Sequence, residues 1–136
     1  MKKLFFLVIF AMAAHLGFAQ VAASSPLPAA DLAVAAVDNL VFDFGKIKQG
    51  VPVTHEFSFI NKGKVPMIIT NAAPSCGCTI PAWTKDPIPP GGQGFVKATF
   101  NAAGVGAFDK SVTVTANVET GVVMLRIRGE VLAPVN

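Results

Sequence analysis

The sequence predicts an all-β fold, an antiparallel sandwich of about seven strands over residues 38–133. Two observations predict it: apolar and polar side chains alternate in short runs, and Gly, Pro and Asn residues separate these runs. No stretch after residue 37 has a convincing helical period. The chain has 136 residues, 52% hydrophobic and 14% charged, and this composition can build the core of one ordinary domain.

The predicted strands follow from a period of two, which places one set of side chains on the core face and the other in water. A short additional strand is predicted near Thr79. At about 95 residues, the domain has the size of an immunoglobulin-like sandwich. It lacks the inter-sheet disulfide of antibody domains, because its two cysteines are two positions apart. The alternating runs are 40–44, 51–59, 96–100, 111–116 and 123–128, and residues 67–70 form a short β-branched run.

Residues 1–19 have the three parts of a cleavable signal peptide. Lys2 and Lys3 form a basic start, and an apolar run follows from residue 4. Gly17 and Ala19 place small residues before a cut that leaves Gln20 as the first residue. This pattern predicts an exported protein, periplasmic or extracellular.

A membrane anchor is the alternative for this N-terminal segment. A spanning helix needs about 20 apolar residues, and here His15 and Gly17 interrupt the run. We therefore expect no stable transmembrane segment after signal cleavage.

Residues 20–37 are predicted to form a flexible linker. They are rich in Ala, Ser and Pro and offer little bulk to bury, and Pro26 and Pro28 interrupt any helix. Residues 134–136 are predicted to be a short tail after the domain.

The charge balance argues against a nucleic-acid partner. The chain has 11 basic and 8 acidic residues, but Lys2 and Lys3 leave with the signal peptide. The mature chain then has nine basic and eight acidic residues, a net charge of +1. That charge is too small to favour binding to phosphates.

Cys76 and Cys78 are the one pair of residues that points to chemistry, as a disulfide or a thiol pair. Gly77 between them permits a tight backbone, and an oxidising compartment favours the disulfide. A three-residue ring would contribute only about 1.6 kcal/mol by chain entropy. Three interpretations remain open: a local structural disulfide or buried thiols, a redox-active pair, and a soft-metal site.

A closed metal site needs about four ligands, and the mature chain adds only His55, Met67 and Met124. His55 shares the parity of Phe57 and Phe59, so it is predicted to pack at the end of the core face. We therefore predict no metal and no cofactor.

No established catalytic motif occurs in the sequence, which lacks Cys-x-x-Cys, Gly-x-Ser-x-Gly and His-Glu-x-x-His. The glycine-rich segment 90–94 precedes a strand, so it is predicted to be a hairpin turn and not a phosphate site. Trp83 is predicted to be a core or sheet-edge aromatic, with a surface anchor for a partner as the alternative. The chain is therefore predicted not to be an enzyme.

The chain resembles a family of bacterial exported domains of unknown function, most specifically in Ser75-Cys76-Gly77-Cys78-Thr79. More distantly, it resembles Hydin-type and major-sperm-protein-type sandwiches, which are binding and scaffold modules. The resemblance implies an immunoglobulin-like fold and implies no reaction. The other segments that carry the family resemblance are 42–47 with Gly50, 55–63 with Pro66, 88–91, 100–101 and 125–131.

Two functional hypotheses follow. The first is a non-catalytic exported module that binds an unknown protein or envelope partner through a sheet face or an edge strand. The alternative is a thiol redox or soft-metal-binding protein that uses Cys76 and Cys78. Replacement of both cysteines by serine separates the two, because only the second function would be lost.

Overall fold

Eight strands form two four-stranded sheets that pack face to face in the computed structural model, which describes residues 32–135. In chain order they are β1 (Ala35–Val37), β2 (Val41–Lys48), β3 (Val53–Asn61), β4 (Ile69–Pro74), β5 (Thr79–Trp83), β6 (Gln93–Phe100), β7 (Gly106–Ala116) and β8 (Val122–Leu132). Sheet 1 has the order β1-β3-β6-β5, and sheet 2 has the order β2-β8-β7-β4.

The predicted all-β, immunoglobulin-like sandwich is confirmed. Each alternating run overlaps one strand, and the short strand expected near Thr79 is β5. The pair β2–β8 is parallel, and the other strand pairs are antiparallel. Alternation identifies the two faces of a strand but does not identify its neighbour, so it could not predict this pairing.

The linker prediction is wrong for its last residues. Ala33 pairs with Val118 of sheet 2's β7–β8 hairpin, and β1 then pairs with β3 of sheet 1. Ala33 is 1% exposed and its N–H donates to the carbonyl of Asn117 at 2.9 Å. A small side chain fits this crowded position, and the backbone gains hydrogen bonds that composition does not reveal. The domain thus begins near residue 33 and not at residue 38.

The predicted signal peptide, the cut before Gln20 and most of the predicted linker lie outside the described residues. Within residues 32–135, no helix is long and apolar enough to span a membrane.

The core consists of the inward side chains of both sheets. In β3, Phe57 and Phe59 are buried while their neighbours in sequence face outward. Asn61 is the buried polar residue at the end of this strand, and its amide donates to the carbonyls of Val65 and Ile88 at 2.7 and 3.0 Å. These bonds satisfy the amide donors of the buried Asn61 side chain, which burial would otherwise leave unpaired. The other large, fully buried apolar residues are Met67, Ile88, Leu125, Ile127, Val96, Val112, Val114 and Val131.

Candidate functional site

The Cys76–Cys78 loop lies where β4 of sheet 2 leads into β5 of sheet 1. The N–H of Ser75 donates to the carbonyl of Ser111 at 2.8 Å, and the N–H of Ser111 donates to the Ser75 hydroxyl at 3.1 Å. On the other side, the N–H of Asn101 donates to the carbonyl of Cys78 at 3.0 Å. Both sheets therefore hold the loop in place.

The structure joins Cys76 and Cys78 in a disulfide, with their Cα atoms 5.3 Å apart. Both cysteines are half-buried and Gly77 is exposed. The Cys76 sulfur is 3.9 Å from the hydroxyl of Thr79, a residue only 2% exposed. The oxidised state of the pair in the exported protein stays a prediction.

A pocket of about 280 Å³ adjoins this loop, and Cys78 and Lys110 both line it. Lys110 has the inward parity of Phe108 and Val112 in β7 but is only half-buried. The pairing of β4 with β7 ends at Pro74 opposite Val112, so no β4 residue pairs with Lys110. The sequence analysis missed this lysine. The available signal was a charged residue at an inward position of an apolar strand.

His55 packs in an aromatic cluster between the sheets, which confirms its predicted place on the core face. Its ring stacks on Phe42 of β2 with centroids 3.6 Å apart, and Phe57 lies edge-on at 4.6 Å. Burial lowers the pKa of His55 below 6.5, and the negative charge of Glu56 opposes this shift. These contacts give His55 a packing role.

The structure does not bring the other candidate metal ligands to the cysteines. Met67 is buried and pairs with Ile88, and Met124 lies exposed on β8. In residues 32–135, no group of three or more His, Cys, Asp or Glu side chains could hold a metal ion.

Trp83 joins the neighbouring edges of the two sheets, as predicted for a sheet-edge aromatic. Its indole Nε1–H donates to the carbonyl of Ile69 in β4 at 3.3 Å. The Lys85 ammonium lies 3.0 Å from the centroid of the indole ring. The indole is therefore half-buried between the sheets and a lysine.

The outer face of sheet 2 carries an exposed apolar patch of Val41, Val122 and Met124, which are 43%, 48% and 56% exposed. Val41 pairs with Arg126, two residues along β8 from Met124. Alternation predicts that Val41 and Met124 face outward, but Val122 precedes the predicted run, so the patch was not predicted from the sequence. The signal was the methionine that alternates with buried residues in β8.

Two ion pairs border the apolar patch. Arg126 pairs with Asp109 of β7, and Arg128 pairs with Asp43 of β2 at 3.0 Å. All four side chains are about half exposed, between 45% and 57%. Exposed ion pairs contribute little to stability, so these charges are available to orient a partner.

Comparison with solved structures shows the fold. The chain is similar to a protein of unknown function from Porphyromonas gingivalis W83, with a TM-score of 0.67, 16% identity and coverage of 76% of this chain and 49% of that chain. The PapD-like domain 7 (ASH domain) of human CEP192 gives a TM-score of 0.59 at 12% identity, and the match covers 89% of this chain and 99% of that chain. The secreted serine protease VesC from Vibrio cholerae gives a TM-score of 0.55 at 15% identity, and the match covers 77% of this chain and 24% of that chain.

The chain thus spans about half the length of the Porphyromonas protein and about a quarter of VesC. At these identities the similarity extends to the fold alone. No curated protein matches the sequence. Residues 35–131, nearly all of the sandwich, match the family described as protein of unknown function (DUF1573). The chain therefore belongs to the DUF1573 family.

Proposed function

We propose that this chain is an exported module of the cell envelope that binds a protein partner through the outer face of sheet 2. The observation that carries the proposal is the exposed patch of Val41, Val122 and Met124 beside two ion pairs. Apolar patches with polar rims are typical of protein–protein contact sites, and Met and Arg are enriched in them.

The free edges of the sheets favour binding through this face over binding through an edge strand. Pro81 of edge strand β5 has no N–H to donate to an added strand. The edge strand β2 has a bulge between Asp43 and Lys46, which interrupts regular pairing. In β4 the indole of Trp83 already occupies the carbonyl of Ile69. These features protect edges against strand addition.

The remaining edge strand is β1, which has only three residues. A partner strand would gain few hydrogen bonds on so short an edge. The outer face of sheet 2 instead offers β2, β8 and β7 side by side. A folded partner with an apolar centre and charges complementary to the two ion pairs fits this surface best.

Export is supported by residues 1–19, with their basic start, apolar run and small residues before Gln20. We expect the mature protein to begin at Gln20. The intact mass of the product from the cell envelope or the medium tests this expectation. A product that retains residues 1–19 would contradict it.

Site-specific photo-crosslinking tests the binding face in the native envelope. A photoreactive residue at position 124 of the full exported chain is expected to give a discrete protein adduct. The matched control is position 82, because Ala82 is exposed in β5 of sheet 1. A Val122→Asp change in the same crosslinking chain should remove the adduct, since it places an unpaired charge in the apolar patch.

Two results would overturn the proposed face. One is the absence of an adduct from positions 41, 122 and 124 alike. The other is an adduct of equal yield from position 82, which would place contact on both faces without selectivity. Mass spectrometry of the adduct identifies the partner for binding measurements.

A further inference from the structure

We infer that the Cys76–Cys78 loop is a thiol–disulfide exchange site that accepts two electrons from a dithiol in another exported polypeptide. The inference does not depend on the proposed binding face, which lies on the outer side of sheet 2. It is carried by three observations: a half-buried cysteine pair beside an exposed glycine, a lysine that lines the same pocket as Cys78, and a buried hydroxyl near the Cys76 sulfur.

Access to the pair comes from the end of the sandwich. Gly77 is exposed, and a Cβ atom built on it would have no heavy atom within 4 Å. Cys78 lines the pocket of about 280 Å³, so a cysteine side chain of an extended peptide can approach this residue there. Exchange requires this kind of access to one sulfur of the disulfide.

Lys110 favours attack at Cys78. Lys110 lines the same pocket as Cys78, at an inward position of β7. An ammonium group attracts the incoming thiolate and stabilises a thiolate on Cys78 after exchange. Cys78 is therefore the sulfur that the partner attacks.

Thr79 favours departure of the other sulfur. Its hydroxyl is buried and lies 3.9 Å from Cys76 Sγ. When the disulfide breaks, this O–H can donate to the thiolate left on Cys76, and hydrogen bonds to charged acceptors are the stronger kind. The two sulfurs therefore have different roles, with Cys78 attacked and Cys76 as the leaving group.

The exchange proceeds in two balanced steps. A partner thiolate attacks Cys78 Sγ, a bond forms between these two sulfurs, and the Cys76–Cys78 bond breaks with its electron pair on Cys76 Sγ. The second partner thiolate then attacks the partner sulfur of the mixed disulfide. The partner's own disulfide forms, and Cys78 leaves as a thiolate. Two electrons pass from the dithiol to the cysteine pair, and the two protons lost by the dithiol reach the new thiolates through solvent.

The anchored loop lets this chemistry occur in the folded domain. The hydrogen bonds between Ser75 and Ser111, and between Asn101 and the Cys78 carbonyl, do not involve the sulfurs. They persist when the disulfide opens. The reduced loop is therefore expected to keep both thiols near Lys110 and Thr79.

The first test equilibrates the full exported chain with mixtures of reduced and oxidised glutathione and counts free thiols by alkylation and mass spectrometry. The expected result is a half-reduced pair within the range of these mixtures, with unchanged circular dichroism. A pair that stays fully oxidised in every mixture would overturn the inference, because structural disulfides resist the glutathione pool.

The second test assigns the roles of the two sulfurs. In the Cys76→Ser chain, the free Cys78 thiol reacts with oxidised glutathione, and Lys110→Gln is expected to slow this reaction about threefold near neutral pH. The matched control is Lys64→Gln, since Lys64 lies beyond the far end of β3. In the Cys78→Ser chain, Thr79→Val should slow the reaction of Cys76, whereas Lys110→Gln should not.

Equal rates for the Lys110→Gln and Lys64→Gln chains would contradict the electrostatic action of Lys110 on Cys78. If Lys110→Gln alters the circular dichroism spectrum, Lys110→Arg serves as a second variant. It keeps the positive charge and should retain the fast reaction. If the Lys110→Arg chain has native circular dichroism but its Cys78 thiol reacts slowly with oxidised glutathione, the electrostatic role is also contradicted.

Discussion

His55 shows how one partly buried side chain couples this fold to pH. It stacks on Phe42 across the two sheets, and burial lowers its pKa below 6.5. The unfolded chain therefore binds the proton more readily than the folded chain. Above pH 6.5, His55 is neutral in both states and does not lower the free energy of unfolding. As the pH falls through 6.5 towards the lower folded pKa, proton uptake by the unfolded chain lowers this free energy. Glu56 reduces the effect, because its charge favours protonated histidine.

We predict that His55→Phe reduces the loss of stability between pH 7.5 and pH 5. Phenylalanine keeps the aromatic contact with Phe42 and cannot take up a proton. Urea unfolding at both pH values measures the change in unfolding free energy for the wild type and the variant. The same pH dependence in both proteins would show that His55 does not cause it.

Only some residues of the two candidate sites could be identified from the sequence. Cys76 and Cys78 were found because their types and spacing alone suggest chemistry. Lys110 and Met124 were missed, because their importance depends on which strands lie beside them. Lys110 of β7 and Cys78 line the same pocket only in the folded domain. Local alternation contains no information about which distant residues share a pocket.

At the scale of elements, the parallel pair β2–β8 depends on a close backbone approach at Gly129. A Cβ atom at this position would lie 2.7 Å from the carbonyl oxygen of Gly45 and 2.9 Å from the ring of Phe108. Gly45 itself lies at φ 65° in the bulge of β2. At its bulge, β2 can therefore approach β8 this closely because position 129 has no side chain.

Gly129→Ala is predicted to destabilise the domain by about 1–3 kcal/mol, because the backbone of β2 must move to admit a methyl group. Gly104→Ala is the matched control, since a Cβ atom there meets no heavy atom within 4 Å. Its effect should stay within about 0.5 kcal/mol. Urea unfolding measures both free energies. Equal stability of the two variants would show that β2 adjusts freely.

Most strands could be predicted from alternation, but β1 could not. In residues 51–59 the period of two is regular, and β3 spans almost the same residues. In β1 the residues are Ala35, Ala36 and Val37, which have no alternation to detect. Their strand arises from pairing with β3, so only the tertiary fold reveals it.

At the scale of the whole molecule, the sandwich depends on its two-sheet core and not on its disulfide. Phe57, Phe59 and the inward side chains of sheet 2 pack together, whereas a three-residue ring restrains the unfolded chain by only about 1.6 kcal/mol. The double variant Cys76→Ser, Cys78→Ser is therefore expected to fold. It separates a function of the sheet face from a function of the sulfurs.

The most direct test of the proposed function is the affinity of the purified crosslinked partner for three forms of the exported chain. We predict that Met124→Asp weakens binding at least about tenfold, or about 1.4 kcal/mol. The double serine variant should bind within about threefold of the wild type, a difference of under about 0.7 kcal/mol. Binding that survives Met124→Asp but is lost in the double serine variant would contradict the proposal and assign partner binding to the cysteine loop.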